Sequence, residues 1–368
     1  MAHATRMAHL SCGVALAVTA VLAVAGCTSG GAGAAQTGTG AASTAPALTT
    51  AQARQVFDSY VSGSEAAART GDVALALSDV TGVQRSYVTA TFEADRYDHV
   101  RLPYPYYTYG RPVFYLPAPA GYPRFFVADV SRVLAGTKLS DAIATQTAGV
   151  TVPLDGNVLM LFEQAGHKQP WRLASTSQLT AGTSLPPLAT NGGGHVLALP
   201  LSTGTLLAPP DVVGPLQAAV VDDGPSSPAA SAVANGPLTT GIYQAARTFV
   251  QGIYPPRGDV LQWALDGADY ARLALRTADG GALVFYSMYL NTTVEVPAVL
   301  NDAEPVNPGP PITVPADLMP LLTLGQKAPR VELEGQDLLS FAAIDPPAGS
   351  AKIQVIAIGG GLDYASAS

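Results

Sequence analysis

An apolar run from Leu10 through Val14, Leu16, Val18 and Val21 to Val24 ends in two small residues, Ala25 and Gly26, and then in Cys27. This stretch constrains the chain most, because it sets apart a short leading segment from the long remainder that has to fold. The run is shorter than the roughly 20 apolar residues a membrane span needs, and a tract of Gly, Ala, Ser and Thr follows it. The only other cysteine, Cys12, lies inside the same segment. Whatever folds beyond Cys27 therefore has no disulfide, no thiolate nucleophile and no thiolate metal ligand, and must be held together by packing.

Arg6 with His3 and His9 gives a weakly positive start, Val14 to Ala25 an apolar middle, and Leu22-Ala23-Val24-Ala25-Gly26-Cys27 a small-residue exit. The segment resembles the signal and lipobox of bacterial lipoproteins. That resemblance implies that residues 1–26 are removed, that Cys27 carries acyl chains such as palmitate, and that the mature chain is displayed on the outer face of a cell membrane. Two or more acyl chains make a stable anchor where one gives only marginal binding. Residues 27–48 then form the lipidated cysteine and an uncharged Gly/Ala/Ser/Thr tether, with a root-mean-square reach of roughly 25 Å.

The chain carries 19 Lys+Arg against 27 Asp+Glu, and Arg6 is the only charged residue before Cys27, so the mature part has a net charge of about −9. Such a surface repels phosphate backbones, and no basic cluster offsets it, which excludes nucleic acid as a partner. Charged residues are 12% of the chain, about half the usual share.

The pattern beyond the tether is helices first, sheet afterwards, and it occurs twice. Thr49 and Thr50 offer N-caps to a helix with Ala53, Val56, Phe57, Tyr60, Val61, Ala67 and Ala68 on one side, ended by Gly71. Asp72 starts a second helical run through Leu75, Val80, Val83 and Tyr87 that Gly82 breaks or kinks. Val113 to Leu116, Arg124 to Val130, and the hairpin arms Val158 to Gln164 and Trp171 to Ser177 read as strands. Pro186, Pro187 and Gly192 to Gly194 mark residues 181–194 as a linker. Beyond it come a helix over Asp211 to Val221 weakened by Pro215, an amphipathic run from Leu238 to Tyr254, and hairpins around Asp279-Gly280-Gly281 and around Asp345 to Gly349. The expected fold is α+β in two domains, 49–180 and 195–368, each with N-terminal helices packed on a curved antiparallel sheet.

The element order from Thr49 to about Leu179, with Trp171 at the exit of its last hairpin, resembles the cone-shaped family typified by nuclear transport factor two. Members of that family range from enzymes to binding modules, so the resemblance implies a fold and a cavity but no activity. The mature chain, and its Thr277-Ala278-Asp279-Gly280-Gly281-Ala282-Leu283 turn above all, is similar to secreted lipoproteins of high-GC Gram-positive bacteria, which implies a location and no chemistry.

No nucleophile elbow, zinc-protease, Walker or dinucleotide motif appears in the chain. The triplets Gly192–Gly194 and Gly359–Gly361 lack the lysine and helix start of a phosphate cradle and read as linker and strand-end glycines. His99, His167 and His195 are too scattered for a metal site, and no calcium loop surrounds the paired aspartates, so neither a metal nor a cofactor is expected. Beside a structural spacer in which neither domain has a cavity, two readings stay open. In one, Tyr104, Tyr106, Tyr107 and Tyr109 on a proline-stiffened segment contact a sugar, a peptide or an envelope protein, and the chain is a non-catalytic binding or accessory module. In the other, Asp98 and His99 face a cone-shaped cavity and run proton transfer in a small-molecule isomerase or hydrolase.

Overall fold

Leu48, expected in the tether, is instead buried in the core against the first helix and opens the folded part. In the computed structural model, which describes residues 48–118, 121–135, 144–147, 149–153, 155–253, 260–270, 272–295, 311–315 and 318–368, Gln52 N–H donates to the Thr49 hydroxyl (3.3 Å) while the Gln52 side chain accepts from Thr49 N–H (2.8 Å). This capping box starts α1 (Thr50–Thr70), and Gly71, at φ 69°, ends it in a left-handed cap. Asp72 accepts from Leu75 N–H (3.0 Å) and starts α2 (Val73–Ser78). The helical run beyond is split where Val80 bridges to Leu173, and Gly82, at φ 53°, opens α3 (Gly82–Tyr97). A side chain there would strain the backbone and press on the Ala174 carbonyl oxygen, 3.2 Å from its Cβ.

The strands that follow are β1 (Tyr106–Tyr109), β2 (Val113–Tyr115), β3 (Arg124–Ala135), β4 (Ala144–Thr147), β5 (Val150–Pro153), β6 (Gly156–Gln164) and β7 (Arg172–Leu179). The second half adds β8 (Ala198–Leu199), α4 (Val213–Asp223), α5 (Thr240–Ile253), β9 (Val260–Gly267), β10 (Leu273–Arg276), β11 (Ala282–Glu295), β12 (Glu332–Asp345) and β13 (Gln354–Ala367). Eleven of these strands form one sheet in the order β1-β3-β6-β7-β13-β12-β11-β10-β8, with β2 beside β3 and β9 beside β11, while β4 and β5 pair on their own. Every pairing between these strands is antiparallel. The fold is α+β: α1 to α3 precede the strands of the first half, and in the second half the short β8 precedes α4 and α5 while the long strands follow them.

Side-chain alternation along the strands explains the layering. Phe126, Ala128 and Val130 of β3 and Val158, Met160 and Phe162 of β6 join Phe57 and Tyr60 of α1 in one core. The intervening residues, Val127 of β3 with Leu159 and Leu161 of β6, point to the other face and pack with Leu273, Leu275, Leu283, Phe285 and Ala342 of the second half. Beyond that shared core, Val284, Tyr286 and Met288 of β11 turn towards Val213, Val220 and Val221 of α4 and Ile242 of α5. A period of two thus sorts each strand between a helix-facing and a sheet-facing core. It also explains why Val158 to Phe162 are buried without a break: β6 is covered on both faces.

The halves expected at 49–180 and 195–368 consequently share their central core, and their described residues fall in one compact unit. Residues 181–194 run against this unit, with Leu188 bridging to Thr277 and Thr190 to Val196. The glycine triplet Gly359–Gly361 lies in the middle of β13, not at a strand end. There β13 passes between β7 and β12, held by the Leu179 with Ala357 and Gln178 with Ile358 pairs and by a buried Ser177–Ser340 hydroxyl bond of 3.0 Å. A Cβ on Gly359 would overlap the Thr176 carbonyl oxygen, and one on Gly360, at φ 88°, the Leu338 carbonyl oxygen. Only glycine lets three strands approach this closely. Gly359→Ala is expected to lower the unfolding free energy by at least about 2 kcal/mol, measured by urea denaturation, whereas Gly192→Ala, which meets nothing within 4 Å, leaves it within about 0.5 kcal/mol.

Candidate functional site

The three N-terminal helices stand off the sheet enough to leave a cavity of about 370 Å³. Tyr60, Ser64 and Ala68 of α1, Leu75 and Ala76 of α2, Asp79 after it, and the i, i+3, i+4, i+7 face Gln84, Tyr87, Val88 and Thr91 of α3 form its helical wall. Tyr106, Tyr107 and Tyr109 of β1, Arg132 and Leu134 of β3 and Thr176 of β7 form the sheet wall. The register of β1 against β3 sets Tyr109 opposite Arg132 and Tyr107 opposite Leu134, so the Arg132 guanidinium reaches diagonally and stacks 4.0 Å from the Tyr107 ring centroid.

The tyrosines are anchored in different ways. Phe57 packs edge-on against Tyr109 at 5.6 Å, and the Tyr60 and Tyr109 hydroxyls lie near enough to perturb one another's ionisation. Arg69 donates to the Tyr106 hydroxyl (2.9 Å) while also paired with Glu65 (2.6 Å). Tyr104 does not line the cavity: its ring packs edge-on to Phe92 at 5.4 Å and its N–H donates to Ala68 O (3.0 Å), which fastens the segment ahead of β1 to α1. Three of the four tyrosines singled out in the sequence are therefore brought together at the cavity, and the fourth holds their strand in place.

Burial dominates the electrostatics. It pushes Tyr107 up to about 12 against the opposing pull of Arg132, raises Tyr109 well above its ordinary value and raises Tyr60. All three keep their protons near neutrality and present hydroxyls as donors and acceptors. Arg132 makes no hydrogen bond or ion pair among the described residues, and its Nε is buried without a partner. Gln84, only 8% exposed, lines the same cavity with its side-chain amide unpaired among the described residues.

Asp98 and His99 lie elsewhere. Asp98 caps the C-terminus of α3, its N–H donating to Ala94 O (2.9 Å), and His99 follows at φ 54°. Both are exposed and neither lines the cavity. Asp95 of that segment is pushed up to about 6 by burial and then by the nearby Asp98 carboxylate, and it too is outside the cavity lining. Cys27 lies outside the described residues. Among the described residues no group of three His, Cys, Asp or Glu side chains is placed to hold a metal ion.

Gln84 and Arg132 escaped the sequence reading, and Tyr60 and Tyr87 entered it as helix residues apart from the tyrosine cluster. Arg132 had a signal: it falls on the same parity as Phe126, Ala128, Val130 and Leu134, so it is a cation at a core-facing position of an apolar strand. For the α3 residues the cue was helical spacing, which core packing explains equally well.

The family model described as Domain of unknown function (DUF8094) matches residues 44–363. The chain belongs to this family. It is also similar to a protein of Streptomyces coelicolor described as uncharacterized lipoprotein SCO2278, with 25% identity over 267 residues, covering 66% of this chain and 67% of that one. No solved structure matches the chain. The DUF8094 match spans both halves, the cavity and the shared core together.

Above pH 10 the buried tyrosines contribute a defined behaviour. A hydroxyl whose folded value lies above its unfolded one stabilises the fold fully below the unfolded value and loses that contribution as pH rises through the folded one. For Tyr107 this window runs from about 10 to about 12. Ultraviolet titration of tyrosinate is expected to show a late-ionising class that shrinks in Tyr107→Phe; a single step near 10 for all tyrosines contradicts the burial account.

Proposed function

We propose that this chain is a lipid-anchored, outward-facing binding module of the cell envelope whose ligand enters the tyrosine-lined cavity. The observation that carries the proposal is the cavity itself: five tyrosines, one unpaired guanidinium and one unpaired amide converge on a space of about 370 Å³, within the roughly 300–1,000 Å³ of small-molecule sites. Apolar walls with a few polar groups are what orient a small ligand, and the rings offer contact area at low entropic cost.

The anchor is supported by the Leu22–Cys27 signal and by the similarity to a protein described as a lipoprotein. Among the described residues no helix is long and apolar enough to cross a membrane. Acyl chains on Cys27 would tie the module to the membrane, and residues 28–47 would let it stand clear of the headgroups.

The rival reading, an isomerase or hydrolase, needs an acid and a base at the cavity. Asp98 and His99 are exposed on the far end of α3 and outside its lining, so the observation that would favour that reading is missing from those two residues.

Two measurements test the proposal. Cys27→Ser is expected to abolish incorporation of labelled palmitate in a bacterial host, and continued incorporation contradicts the anchor. In a thermal-shift screen of the chain from Thr28 onwards against envelope sugars, short peptides and small metabolites, a ligand at a hundred times its Kd is expected to raise stability by about 2.7 kcal/mol. The same ligand should leave the Tyr106→Ala, Tyr107→Ala double variant unshifted; equal shifts in both place the ligand elsewhere.

A further inference from the structure

The geometry points to one ligand class: we infer that the cavity takes an amphiphilic monocarboxylate, an apolar or aromatic body with a single carboxylate received by Arg132. The inference rests on the binding reading above and deepens it. Arg132 projects from a strand position that otherwise faces the core, and its guanidinium lies 4.0 Å from the Tyr107 ring centroid. Stacking uses the face of the guanidinium and leaves its in-plane N–H donors free. None of these donors has a partner among the described residues, and Nε is shut off from solvent. Arg132 as a whole is half-buried, and a partly withdrawn charge with no partner is left under-compensated. A group of this kind is retained where its counterion arrives with a ligand, and the planar fork matches a carboxylate in two parallel hydrogen bonds.

Gln84 is a second, independent pointer. The residue is buried overall and lines the same cavity, and its side-chain amide makes no hydrogen bond among the described residues, so it offers the ligand one more donor and acceptor. The rest of the helical wall is mostly apolar, with Leu75, Val80, Val88 and Phe92, and suits the body. The charge of the head is limited by two acids. Asp79 lines the cavity, and Asp155, which accepts from Leu134 N–H at 2.7 Å, is close enough for its field to reach Tyr107. Their repulsion opposes a second negative charge on the ligand and favours a carboxylate over a phosphate dianion.

Calorimetric titration of the chain from Thr28 onwards, which contains the whole compact unit, tests this with octanoate and 3-phenylpropionate against octanol, 3-phenylpropanol and phenyl phosphate. The two carboxylates distinguish an aliphatic from an aromatic body. At least one carboxylate is expected to bind about tenfold or more tighter than its alcohol and tighter than phenyl phosphate. Arg132→Gln should bring the carboxylate down to the level of the alcohol while the alcohol still binds, which also reports that the cavity persists. Arg132→Lys keeps the charge without the fork and should recover only part of the difference. Alcohol and carboxylate binding equally to the unaltered chain overturns the carboxylate assignment while leaving the cavity as a binding site. Tighter binding of phenyl phosphate overturns the single charge. No binding of any probe to the folded chain overturns the assignment and, with it, the cavity as an amphiphile site.

Discussion

The structure depends on the face-to-face contact in which Val127, Leu159 and Leu161 of the first half meet Leu275, Leu283 and Phe285 of the second. With no cysteine beyond Cys27, no crosslink can hold these elements, and packing has to do it. The contact covers the inner face of β6 and β3, which frees their outer face to carry the helices α1 to α3. It also draws β13 in between β7 and β12, where the glycines at 359 and 360 are the only residues that fit. Cavity and seam are linked at Thr176: it lines the cavity, and its carbonyl oxygen is the atom that excludes a side chain at Gly359.

That rigidity has a functional consequence. Phe126 and Phe162 stack at 4.6 Å, nearly parallel, and Phe57 and Tyr60 of α1 meet Phe162 edge-on. These rings fix α1 to the sheet along one line and leave the space beside it, under α2 and α3, unfilled. The cavity is thus bounded by residues whose positions are set by a buried aromatic cluster, and the polar groups within it are preorganised. Tyr109 shows the coupling, since its ring packs on Phe57 while its hydroxyl faces Tyr60 and the cavity.

Much of this was legible in the sequence, in the places where local chemistry decides. Thr49 with Gln52, Gly71 and Asp72 announce helix ends by their capping chemistry, and Asp279 with Gly280 and Gly281 announces a hairpin; Asp279 accepts from the Thr277 hydroxyl and from Gly281 N–H (3.2 Å). The clustering of Tyr106, Tyr107 and Tyr109 was visible too. What was not legible depends on partners distant in the chain. The unbroken burial of Val158 to Phe162 requires the second half to cover β6, and the position of Gly359 to Gly361 inside a strand requires knowing that β7 lies alongside. Arg132 needed a strand register before its parity meant anything. Asp98 and His99 looked like a site because they are close in sequence, whereas α3 ends there and leaves them in solvent.

The most direct test of the cavity as the ligand site is hydrogen–deuterium exchange of the chain from Thr28 onwards with and without saturating 3-phenylpropionate. The account places the ligand between α3, β1 and β3, so amides of 82–97, 106–109 and 130–135 should exchange more slowly in its presence, with α4 and α5 unchanged. Protection confined to α4 and α5 or to β9 to β11, with none at α3 and β1, would contradict it.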